Sequence, residues 1–218
     1  MKLLLDTANL EDIRYFNTYY PIVGVTTNPT ILSKEGGDVL KLLRSIREII
    51  GSERQLHVQV TESTYEKIVE EAEAIVAFLG ENTFVKIPAT DEGLRAVQTL
   101  SAKGYGITVT AVLTAAQALL ASNAGAAYVA PYVSRLENIC ADGVGTVADI
   151  AEIFRIHGIK TEIISASIRG PQDVTDSAKA GAHIATIPYK VLVQMSKHPL
   201  TDAGIAKFMT DWNQTFQK

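Results

Sequence analysis

The chain has 218 residues, 47% of them hydrophobic and 20% charged, with a formal net charge of −4. That balance is ordinary for a soluble globular protein and excludes long disorder, collagen-like repeats and a general basic footprint for nucleic acid. The length suits one or two domains, and one closed α/β barrel fits inside it.

In chain order, short apolar runs predict strands at 2–6, 22–26, 56–60, 83–88, 106–110, 127–132, 161–166 and 183–187. Each has the near-continuous apolar character of a strand buried on both faces of a parallel sheet. Helical patterns lie between them near 9–18, 38–50, 64–79, 91–102, 114–123, 144–157, 171–180 and 189–196. Thr90-Asp91 and Asp142-Gly143 are start signals for two of these helices. The stretches 34–37 and 134–143 read as the most irregular loops.

Eight strand–helix units of about 25 residues need about 200 residues. The surplus is the tail at 201–218, where Ile205, Phe208, Met209, Trp212 and Phe216 recur at helical spacing as an apolar stripe. No Pro/Gly/Ser-rich linker interrupts the pattern, so the expectation is one domain over 1–218: an α/β (β/α)8 TIM barrel with an additional C-terminal helix. A doubly wound open sheet is the rival. It would usually bring a glycine-rich phosphate turn, and the chain has neither GxGxxG nor a Walker sequence.

One cysteine, Cys140, cannot build an internal disulfide framework and is expected to be plain packing. Asp6 interrupts the N-terminal apolar run too early for a signal peptide, and no run of about 18 apolar residues is present. The expected address is the cytoplasm, with no membrane partner.

Function in such a barrel sits at the C-terminal ends of the strands, so polar residues late in each apolar run are the candidates. Lys86, inside Phe84-Val85-Lys86-Ile87-Pro88, is the sharpest. Desolvation favours its neutral amine, which can attack a carbonyl to form a Schiff base. The structural alternative is a core ion pair with Asp6. Asp6 itself can move a proton, or else cap the helix that starts near Asn9.

Asn28 precedes Pro29 and reads as a turn residue or a hydroxyl binder, with Thr26 on the strand before it. Gln59 and Thr110 can hold a water near Lys86, and Tyr132 offers a phenol as acid or base. His57 shares a strand face with Gln59 and is expected to line the pocket. Arg135, Ser167 and Arg169, with the helix that follows Pro171, suit a phosphate or remain solvated surface charges. The four histidines show no HxxxH or HxH spacing, so neither a metal nor another cofactor is expected.

With those residues in view, the chain resembles the transaldolase family of small class I aldolases, most closely its fructose-6-phosphate aldolase branch. The resemblance runs nearly end to end through LDTANL at 5–10, GVTTNPTIL at 24–32, VKIPAT at 85–90, GAAYVAPYVSR at 125–135, SASIR at 165–169 and AKFMTDW at 206–212. It implies a Schiff base on Lys86, proton handling by Asp6 at the hydroxyl of the bond being cleaved, and donor hydroxyl binding by Asn28. It implies that Arg135, Ser167 and Arg169 hold a sugar phosphate. It further implies a pentameric or decameric homo-oligomer in which the C-terminal helix reaches a neighbour.

Small transaldolases typically have Glu and Phe where this chain has Gln59 and Tyr132. The Gln/Tyr pair with Thr110 resembles the aldolase branch, whereas Arg169 and the HPLTDAGI run at 198–205 resemble the transaldolase side. The leading expectation is reversible cleavage of fructose 6-phosphate to dihydroxyacetone and glyceraldehyde 3-phosphate. The alternatives are transfer of the dihydroxyacetone unit to an aldose phosphate such as erythrose 4-phosphate, and a non-catalytic sugar-phosphate-binding ring.

Overall fold

The eight apolar runs become eight parallel strands that close on themselves in chain order. They are β1 (Lys2–Asp6), β2 (Ile22–Thr26), β3 (Gln55–Gln59), β4 (Thr83–Pro88), β5 (Ile107–Val112), β6 (Tyr128–Pro131), β7 (Glu162–Ser165) and β8 (Ile184–Ile187), with β8 paired back onto β1. The computed structural model describes residues 1–216.

The helices between the strands are α1 (Leu10–Tyr19), α2 (Pro29–Glu35), α3 (Val39–Ile50), α4 (Tyr65–Leu79), α5 (Asp91–Ala102), α6 (Ala115–Asn123), α7 (Val133–Glu137), α8 (Gly143–His157), α9 (Pro171–Lys179), α10 (Tyr189–Met195) and α11 (Pro199–Phe216). The start signals act as expected. Thr90 accepts from the Gly93 amide, and Asp142 from the Gly145 amide.

Strand alternation sorts the core into two layers. Leu5, Val25, Leu56, Val85 and Val109 point outward against Ile13, Phe16, Ile46 and Leu100 of the helices, all fully or almost fully buried. Leu4, Tyr128, Ile164 and Ile184 point inward, with Phe84 packed on them, and fill the barrel centre. β2 and β3 approach closely at Gly24, where a Cβ would lie 2.0 Å from the Gln55 carbonyl oxygen.

Four expectations need correction. His57 does not line a pocket. It is fully buried in the barrel plug, stacked on Phe84 with ring centroids 4.9 Å apart. α2 and α7 were not expected: Asn28-Pro29 is a helix cap followed by a proline at the first helical position, and the stretch expected to be irregular begins inside the five-residue α7. Cys140 is exposed, at positive φ, where packing was expected. The tail helix starts at Pro199 rather than at 201, and the expected end at 217–218 lies outside the described residues. Among the described residues no helix is long and apolar enough to cross a membrane.

Candidate active site

A cavity of about 460 Å³ opens at the C-terminal mouth of the barrel, a size that suits a small-molecule ligand. Strand ends bring Asp6 (β1), Gln59 (β3) and Lys86 (β4) to its floor. The connections add Asn28, Tyr132, Arg135 and Ser167 to its wall.

Lys86 is 7% exposed. Its Nζ donates to the Thr27 carbonyl oxygen at 2.8 Å, and among the described residues it forms no ion pair. Burial lowers its pKa below the ordinary lysine value, and the nearby Asp6 charge only partly opposes this. The core ion pair is therefore not what holds Lys86.

Asp6 responds to the same burial in the opposite sense. Desolvation raises its pKa, while Lys86, the Thr26 hydroxyl and Lys34 pull it down. Thr26 Oγ1 donates to Asp6 Oδ1 at 2.6 Å. Thr26 is also hydrogen-bonded to Thr186 Oγ1. Because the Thr26 proton is given to the carboxylate, Thr186 is the donor in that second bond. The helix-cap alternative for Asp6 falls away, because Asn9 caps α1 with its own side chain. Thr26 was expected to bind donor hydroxyls. Its hydroxyl is committed to Asp6 instead, and it does not line the cavity.

Thr110 is 1% exposed, and its Oγ1 lies 3.2 Å from the Tyr132 hydroxyl. Gln59 stands in register with Lys86 on the neighbouring strand. The Arg135 guanidinium lies over the Tyr132 ring at 4.9 Å. Asn28 serves its local role, accepting from the Ile31 amide at 2.9 Å, and lines the cavity as well.

Arg169 is not among the lining residues; its Nη1 donates to Asn138 Oδ1. Two amides just before α9 are not free for a phosphate either. Asp173 Oδ2 accepts from the amides of Arg169 at 2.7 Å and Gly170 at 3.2 Å. Six lining residues escaped the sequence reading: Pro29, Thr30, Ile31 and Ala166 in the connections, and Thr186 and Ala111 in strands. Thr186 and Ala111 look like any other threonine or alanine of a strand. Among the described residues, no three His, Cys, Asp or Glu side chains gather into a group that could hold a metal ion.

A buried lysine with an amine biased toward neutrality, a carboxylate held on a hydroxyl, and a cation at the cavity wall can together perform imine chemistry on an anionic carbonyl compound. The comparisons with known proteins agree with that reading. The family profile described as Transaldolase/Fructose-6-phosphate aldolase matches residues 3–218. A protein of Clostridium acetobutylicum named "Probable transaldolase" is 49% identical over 218 residues, covering 100% of both chains. Proteins of the same name from Symbiobacterium thermophilum and Agathobacter rectalis are 50% and 49% identical, with 97% and 99% of each chain covered.

Proposed function

The chain belongs to the transaldolase/fructose-6-phosphate aldolase family and is a class I aldolase-like enzyme, and we propose that it transfers a dihydroxyacetone unit between sugar phosphates through a Schiff base on Lys86. The observation that carries this reading is Lys86 itself, buried, lowered in pKa and facing a cavity beside Asp6. The names of the relatives, at close to half identity over the whole chain, support transfer over simple cleavage. This reverses the order of the two reactions expected from the sequence.

In this mechanism the neutral Lys86 amine adds to the C2 ketone of a donor such as fructose 6-phosphate, and water leaves to give an iminium. Asp6 accepts the C4 hydroxyl proton. The C3–C4 bonding pair moves into the iminium, leaving an enamine and releasing glyceraldehyde 3-phosphate. The enamine attacks the carbonyl of an acceptor aldose phosphate such as erythrose 4-phosphate, Asp6 returns the proton to the new hydroxyl, and water adds to the resulting iminium carbon to free the product ketose phosphate and the Lys86 amine. Thr26 orients Asp6 throughout. Asn28 binds donor hydroxyls. Arg135 and Ser167, both lining the cavity, hold the phosphate.

A specific observation favours the aldolase reading as well. Gln59 cannot ionise to activate a water, while the Thr110–Tyr132 hydroxyl pair can deliver a proton to the enamine. Measuring glyceraldehyde 3-phosphate release with and without an acceptor aldose tests the choice. Strict dependence on acceptor supports transfer; equal release without acceptor assigns the enzyme to cleavage.

We also propose a homo-oligomeric ring, pentamer or decamer, built through α11. This helix buries none of its own residues, while Phe208 and Trp212 are 70% and 56% exposed on it. The cytoplasm is the proposed location.

A further inference from the structure

The partners of β5 shift register beside the cavity. Thr108 pairs with Tyr128 and Val109 with Val129, but pairing resumes at Val112 with Pro131. Thr110 and Ala111 together thus oppose the single Ala130, which is a β-bulge. Ala111 carries the conformational cost, with φ at +55° in the left-handed region.

The extra residue changes which way side chains point. Val109 and Val112 are both fully buried in the outer, helix-facing layer. Between them, Thr110 reaches the Tyr132 hydroxyl and Ala111 lines the cavity, so two consecutive residues serve the barrel mouth. Tyr132 is fixed from the far side of the bulge, its amide donating to the Val112 carbonyl at 3.0 Å. Thr110 is fixed from the near side, its carbonyl accepting from the Ala89 amide at 3.0 Å. Straightening the chain at Ala111 slides these anchors by one residue, about 3.3 Å. A hydrogen bond does not survive that displacement.

We propose that Ala111 is a positioning residue whose left-handed backbone holds the Thr110 hydroxyl against the Tyr132 phenol, and that it thereby sets how fast the enamine is protonated rather than passed to an acceptor. The inference rests on the Schiff-base reading above. In the step concerned, the enamine π pair forms the new C–H bond with the Tyr132 proton as the phenol O–H bond breaks. The Lys86 nitrogen lone pair restores the C=N bond of the iminium, and solvent water reprotonates the phenolate through the Thr110 hydroxyl. A β-branched side chain resists positive φ, whereas glycine accepts it freely.

The test follows dihydroxyacetone in D2O by NMR, reading loss of its C–H signal through the iminium–enamine pair, with borohydride trapping on Lys86 in parallel. Ala111→Val is expected to lower exchange by about tenfold or more, the scale of losing a placed general acid, while trapping stays within about twofold. Ala111→Gly is expected to stay within about threefold in both measurements. Exchange in the valine variant equal to wild type overturns the proposal. So does a tenfold loss in the glycine variant, which decides the matter even where the valine variant fails to fold. Wild-type protein that neither exchanges nor traps contradicts the Schiff-base reading instead, so the two failures are distinguishable.

Discussion

The Lys86 Nζ donates to the Thr27 main-chain carbonyl 2.8 Å away, not to the carboxylate of Asp6. A carbonyl is a neutral acceptor, so it orients the amine without stabilising its charge as a bound carboxylate would. Asp6 is held by Thr26 instead. In the proposed mechanism the two groups act separately, Lys86 on the imine and Asp6 on the proton.

Asp6→Asn is expected to lower kcat by about 10²–10⁴-fold, the usual worth of a positioned general base. Borohydride trapping of the donor should survive, because iminium formation belongs to Lys86. Loss of trapping together with kcat would assign Asp6 to iminium formation and contradict the division of labour.

Once the iminium has formed Lys86 no longer titrates as an amine, so the acid limb of kcat reports the Asp6 carboxylate, which must be ionised to accept the C4 hydroxyl proton. Burial raises its pKa above the ordinary 3.8, so activity should fall with acid at a higher pH than an exposed aspartate would show. Thr26→Val removes a hydrogen bond that lowers this pKa, and the limb should move further up. A limb that stays in place, or moves down, contradicts the Thr26 role.

His57 makes the fold acid-labile. Thr108 Oγ1 lies 2.9 Å from its Nδ1, and Gln55 Oε1 lies 3.1 Å from its Nε2; Gln55 Nε2 in turn donates to the Tyr128 hydroxyl. Burial, and then the charge of Lys86, push the His57 pKa down to about 3, against 6.5 for the free side chain. The unfolded chain therefore binds the proton first, and stability is fully present above about pH 6.5. It falls by about 1.4 kcal/mol per pH unit below that, until about pH 3. His57→Phe should flatten this part of a Tm-versus-pH curve, and a curve of unchanged slope would show that other groups cause the loss.

Gln59→Glu with Tyr132→Phe supplies an ionisable group in register with Lys86 and removes the phenol from Thr110. The expected result is slower protonation of the enamine, and so a higher ratio of transferred to released dihydroxyacetone. An unchanged ratio shows that Tyr132 does not protonate the enamine.

Phe208→Glu with Trp212→Glu places two charges on the exposed apolar side of α11. Light scattering should show a smaller assembly with the far-UV spectrum retained. An unchanged mass removes α11 from the interface.

The strands and the placement of Lys86 were legible because barrel strands are short, apolar and buried on both faces, so one lysine among them stands out. α7 was not legible: its five residues are too few for a helical period to show. Thr186 was hidden because its partner Thr26 is 160 positions away in sequence. Ala111 was hidden because its meaning lies in φ, which alanine does not announce as glycine does. Arg169 looked equivalent to Arg135, but the Asn138 side chain and the Asp173 cap draw it away from the cavity wall.

The most direct test is borohydride reduction in the presence of fructose 6-phosphate, followed by digestion and mass mapping. The expected result is the reduced dihydroxyacetone adduct on the peptide carrying Lys86, and its absence in Lys86→Met. Turnover with no adduct, or an adduct on another lysine, would contradict the account.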